Sequence, residues 1–126
     1  MDTKYEIRNN YILVKLTGNF DVNHSKEKII EVNEKLLEHN LDKFFLDITE
    51  VTGIDETIVF SIYTLSSLIY KSFPIGTKMS VLETKEQFRG HSFLEDVLAD
   101  KGFRIKVTTN RKEGLKWLDV LSEEKS

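Results

Sequence analysis

Phe44-Phe45-Leu46-Asp47-Ile48, then Thr49-Glu50-Val51-Thr52-Gly53-Ile54-Asp55-Glu56-Thr57, then a run from Ile58 to Phe73 whose only charged residue is Lys71: this stretch decides how the chain folds. Its first five residues are apolar toward both faces except at Asp47, the pattern of a strand in the middle of a sheet covered by helices, so a central parallel strand is expected. Ile58, Ile62, Leu65, Ile69 and Phe73 recur at helical spacing and are assigned to the sheet. Each contributes about 1.5–3 kcal/mol if fully buried, before the entropy of ordering it is subtracted. Phe60, Tyr63, Ser67 and Tyr70 fall on roughly the opposite side. Their aromatics make an apolar patch for a neighbouring helix, a partner or a ligand to cover.

Working outward, Tyr5 to Asn9 and Tyr11 to Leu16 read as a β-hairpin turning at Asn9-Asn10. Ser25 to His39 is an amphipathic helix, with Ile29, Ile30, Val32, Leu36 and Leu37 at helical spacing. Met79 to Leu82 reads as a strand, Phe88 or Ser92 to Lys101 as a third helix, and Phe103 to Val107 as a further strand. Gly102 stands where a left-handed residue closes a helix. Asn110 with Glu113 fits a capping-box-like start for a last helix through Leu121. The order β-β-α-β-α-β-α-β-α predicts an α/β fold: a mostly parallel five-stranded sheet packed by about four helices. Residues 1–121 are expected to form one domain, with 122–126 a polar tail.

Composition narrows the function classes. The 126 residues are 40% hydrophobic and 31% charged, with a net charge of −3, so no global field attracts nucleic acid or an anionic membrane. The absence of cysteine removes disulfides, thiol nucleophiles and thiolate metal sites, and suits a reducing, cytoplasmic setting. Asp2, Thr3, Lys4 and Tyr5 form no apolar leader, and no apolar run approaches the roughly 20 residues of a membrane span. His24, His39 and His91 lack metal-ligand spacing, so no metal is expected. No nucleophile-elbow, phosphate-loop or dinucleotide glycine motif occurs, and no acidic pair is spaced for acid/base work; the expectation is a non-enzyme without cofactor. Lys101, Arg104, Lys106, Arg111, Lys112 and Lys116 make the C-terminal third basic, read as a solvated face.

The loop after the central strand gathers polar groups where open α/β sheets meet ligands and partners, beside a helix N-terminus with free amides. Asp55 or Thr57 can cap that helix. A phosphate on Thr57 would add charge at the helix start beside Asp55 and Glu56, altering the surface a partner reads.

Phe45-Leu46-Asp47-Ile48, leading through Val51 to Ile54-Asp55-Glu56-Thr57, resembles the strand, loop and helix start of the STAS domain, the family of the bacterial anti-sigma factor antagonist SpoIIAA. Gly102-Phe103-Arg104-Ile105-Lys106-Val107 and Glu113-Gly114-Leu115-Lys116-Trp117-Leu118 are similar to a SpoIIAA-like subgroup sometimes labelled STAS/SEC14. The resemblance implies a non-enzymatic regulatory module that docks on a protein partner such as a kinase-type anti-sigma factor. It also implies a phosphoacceptor at Thr57, a preceding acid at Asp55, and a docking loop of Asp47, Thr49, Asp55, Glu56 and Thr57. Glu56 and Ile58 stand where the family commonly carries serine and glycine, and Glu56 has a fixed charge of the sign a phosphate would add. The alternative is a carrier or sensor of a small apolar, lipid-like ligand on the face of Phe60, Tyr63 and Tyr70. If a second copy covers Phe60 and Tyr70 instead, the protein is a two-fold homodimer.

Overall fold

In a computed structural model of the chain the described residues are 1–54, 59–87 and 93–120, apart from the side chains of residues 59, 60, 62, 93 and 94. Strands β1 (Asp2–Ile7) and β2 (Ile12–Asn19) are followed by α1 (Val22–Glu38), β3 (Lys43–Thr52), α2 (Val59–Ser72), β4 (Lys78–Leu82), α3 (Phe93–Asp100), β5 (Arg104–Thr108) and α4 (Arg111–Trp117). The five strands lie in the order β1-β2-β3-β4-β5. The β1–β2 pair is antiparallel and the other three pairs are parallel. The expected α/β architecture is therefore present, with β3 at the centre.

Alternation along the strands divides the core. Ile12, Val14, Phe44, Ile48, Met79, Val81, Ile105 and Val107 face a cluster completed by Val32 and Leu36 of α1, Ile69 of α2, Phe73 just after it, and Leu98 of α3. Phe45 and Leu82 project the other way and pack with Tyr11, Leu115, Leu118 and Val120 beneath α4. Gly114 brings α4 close to the sheet: a Cβ there would lie 2.7 Å from Ser80 Oγ and 2.8 Å from the Phe45 ring.

Helix ends follow from local chemistry. Asn110 caps α4 by accepting from the Glu113 amide at 3.1 Å, as its sequence position predicts. Gly102, at φ 84°, closes α3: its amide donates to Ala99 and that of Phe103 to Leu98, whose carbonyl also accepts from Lys101. The last helix stops at Trp117 rather than running through Leu121, because Asp119 adopts φ 62° and the Val120 amide turns back onto Leu115. Strand β3 continues four residues past the expected end at Ile48, to Thr52. A helical turn at 85–87 also precedes the expected start of the third helix.

Candidate functional site

The carboxyl end of β3 is shaped by an irregularity that alternation alone does not reveal. Lys15 of β2 faces Asp47, but Thr17 faces Glu50, so β3 advances three residues while β2 advances two. This is a β-bulge, and it resets the pleat. Ile48 and Val51 consequently both point into the helix-covered core, although an unbroken strand would set them on opposite faces.

Asp47 holds the bulge from within. Its Oδ1 accepts from the Thr49 amide at 2.9 Å and from the Thr49 hydroxyl at 2.7 Å. Asp47 is buried, and Asp47 and Thr49 both lie inside β3 rather than in the loop beyond it. The carboxylate is thus engaged with its own strand.

A residue missed at the sequence level completes the brace. The buried Gln87 side chain donates from Nε2 to the carbonyls of Ile48 at 2.8 Å and Val51 at 2.9 Å, which flank the bulge. Its Oε1 accepts from the Thr84 amide while Thr84 Oγ1 accepts from the Gln87 amide, a reciprocal capping box. The signal was present as Thr84-x-x-Gln87. One amide group therefore starts a helical turn and pins the end of β3.

The chain leaves the sheet at Gly53, whose φ of 79° suits glycine and where a Cβ would meet Asn19 Oδ1 at 2.6 Å. Asp55, Glu56, Thr57 and Ile58, which hold the expected cap, phosphoacceptor and docking loop, lie outside the described residues, as does the side chain of Phe60. Beyond them, α2 turns Ile69 inward, with Leu65 partly buried and Phe73 buried just past its end. Tyr63 and Tyr70 are 53% and 50% exposed, about two turns apart on the outer side. Lys101 sits over the Tyr70 ring at 5.6 Å. Among the described residues, then, two rings of the expected apolar face are open to solvent.

On the sheet side of α2 lies a cavity of about 130 Å³. Val14, Phe44 and Val81 of the sheet, Ile29 and Val32 of α1, and Leu65 and Ile69 of α2 line it. It reaches Met1, Phe20 and Ile54 at the carboxyl edge of the strands. Among the described residues its polar lining side chains are those of Ser25, whose hydroxyl donates to Asp21 O at 2.8 Å, and Lys28, whose ammonium pairs with Glu31 at 2.9 Å.

Three titrating groups sit around β1 and the start of α1. The His24 amide beside Asp21 holds that carboxyl below the usual range, and Lys28 does the same for Glu31. Burial, reinforced by the neighbouring Glu31 carboxylate, pushes the Tyr5 phenol up. His24 lies in the first turn of α1 and His39 is its C-cap, while His91 lies outside the described residues. Among the described residues no group of three or more His, Asp or Glu is placed to hold a metal ion. Among them, too, no helix is long and apolar enough to cross a membrane.

No protein-family model matches this sequence, and no curated protein matches it. Solved structures do. An anti-sigma factor antagonist from Mycobacterium paratuberculosis superposes with a TM-score of 0.57 at 13% identity, over 91% of this chain and 91% of that one. The anti-sigma factor antagonist SpoIIAA in its unphosphorylated form gives 0.53 at 8% identity, over 94% and 96%. The Bacillus cell fate determinant SpoIIAA in the phosphorylated form gives 0.53 at 12%, over 93% and 99%. The fold is that of the SpoIIAA-like anti-sigma factor antagonists.

Proposed function

We propose that this chain is a non-enzymatic regulatory module that docks on a protein partner through residues 53–57 and the outer side of α2. The observation that carries this reading is the exposure of Tyr63 and Tyr70 on the helix that follows that loop. Half-exposed aromatics contribute little to a monomer's core and are well suited to anchor an interface, being large, rigid and amphipathic. The braced end of β3 supports the same reading, because a docking loop gains affinity when its point of departure is fixed in advance. By analogy with the anti-sigma factor antagonists that share the fold, the partner is a kinase-type anti-sigma factor. The setting proposed is cytoplasmic, with residues 1–121 acting as one domain and 122–126 as its polar tail.

Thr57 is the proposed phosphoacceptor, and a neighbour of the same fold is known in a phosphorylated form. A phosphate there would bring charge to a loop already carrying Asp55 and Glu56, weakening a partner's approach. Docking is tested by titrating the purified chain against the kinase-type anti-sigma factor of its own genome. Replacing Tyr63 and Tyr70 by serine is expected to weaken binding at least about tenfold, the size of effect a buried aromatic anchor has. Unchanged affinity in the double variant overturns the assignment of this face. Intact-mass measurement after incubation with that kinase tests the phosphoacceptor, and the absence of an added phosphate on Thr57 removes it. A second copy is the other cover for these rings; a light-scattering mass that doubles with concentration would favour it.

A further inference from the structure

We propose that the cavity between the sheet, α1 and α2 is a binding site for one compact, uncharged, apolar molecule of about the size of a single aromatic ring. The inference is independent of the docking reading, since it rests on the opposite side of α2. Three observations select the ligand's class.

The first is volume. About 130 Å³ is close to the roughly 150 Å³ of an engineered apolar cavity that stays dry and takes up benzene or xenon. It is well below the roughly 300–1,000 Å³ of sites that hold drug-sized ligands. The volume matches a single ring rather than a long acyl chain.

The second is polarity. Among the described residues, the polar side chains of the lining are the hydroxyl of Ser25 and the ammonium of Lys28, and both are bonded within α1 and its cap while the other lining side chains are apolar. A carboxylate or phosphate would lose its water there without gaining a partner. The occupant is therefore neutral.

The third is access. The lining extends to Phe20 and Ile54, each just beyond the carboxyl end of its strand, and so reaches the edge where open α/β sheets receive ligands.

The test uses benzene as the probe and dodecanoate as the long-chain control. Amide resonances of the full chain are followed during titration, together with melting temperature. Benzene is expected to shift the resonances of cavity-lining residues such as Val14, Val32 and Ile69 saturably, and to raise the melting temperature in step with its concentration. Val14→Phe from the sheet and Val32→Phe from α1 each fill the space from a different wall, so that one remains informative if the other fails to fold. Benzene binding should weaken at least about tenfold in a folded filled variant, because the ring no longer fits. The proposal is overturned if benzene shifts no lining residue up to its solubility limit. It is also overturned if the shifts gather at Tyr63 and Tyr70, persist in the filled variants, or appear equally with dodecanoate.

Discussion

Replacing Gln87 by glutamate changes one NH₂ for one oxygen and tests how the end of β3 is held. The introduced carboxyl keeps the acceptor that meets the Thr84 amide but loses both donors to the Ile48 and Val51 carbonyls, now 2.8 and 2.9 Å away. Each buried carbonyl left unsatisfied costs about 1–3 kcal/mol, and water reaching one of them lowers the sum, so a loss of about 2–4 kcal/mol is expected at neutral pH. For 126 residues the usual unfolding entropy converts this to a melting temperature lower by about 8–15 °C. The loss should depend on pH. Burial against two acceptors favours the protonated carboxyl, raising its folded-state pKa above the unfolded value of about 4.3. Its contribution is therefore fully present below that value, where the O–H restores one bond, and is lost as pH rises through the folded pKa. Thermal unfolding by circular dichroism at pH 4 and pH 7 measures both effects. A variant melting with the wild type at pH 7, or showing the same deficit at both pH values, would refute the account of the brace.

Gly114→Ala should destabilise the chain by about 1–2 kcal/mol in urea titration, overpacking against Phe45 and Ser80 outweighing a helix-propensity gain of about 1 kcal/mol. Ser80→Ala, which removes a buried hydroxyl without a hydrogen-bond partner, should restore part of that loss in the double variant. Asp21→Asn should lower the melting temperature at pH 7. Because the folded-state pKa of Asp21 is depressed, that difference should shrink as pH falls through it, and a difference constant with pH would contradict the cap's charge dependence. Tyr5→Phe should remove one phenol from the alkaline absorbance titration, the one ionising above the ordinary value of about 10. Since the raised pKa favours neutral Tyr5, the wild type should lose stability relative to Tyr5→Phe as pH rises above 10.

Elements whose signal is local were legible in the sequence. Residues Leu65, Ile69 and Phe73 turn inward because helical periodicity is a property of the chain itself. Gly102 ends α3 where its position predicted, for the same reason. Features that need a second surface were not legible. Gly114 reads as a weak helix residue until Ser80 and Phe45 are seen beneath it. Nothing marks Asp119 as a helix stop beforehand, since neither glycine nor proline stands there. The β3 bulge was invisible because Ile48 and Val51 are three apart, a spacing that by itself suits a helix better than a strand. The capping box at Thr84 and Gln87 could have been read, but only contact with β3 gives Gln87 its second role.

That division bears on function. Solved neighbours share between 8% and 13% identity with this chain, so the architecture does not depend on particular side chains at matched positions. Hydrophobic alternation and crossover order are sufficient to build it. A role cannot then be inherited with the fold and has to rest on groups that the packing does not require. Two sets meet that condition. Tyr63 and Tyr70 are exposed where a monomer gains little from them, and the cavity behind α2 leaves unfilled a space that larger side chains at Val14 or Val32 would occupy. They lie on opposite sides of one helix, so substitutions on either side can be made without touching the other, and the two proposals stand or fall separately.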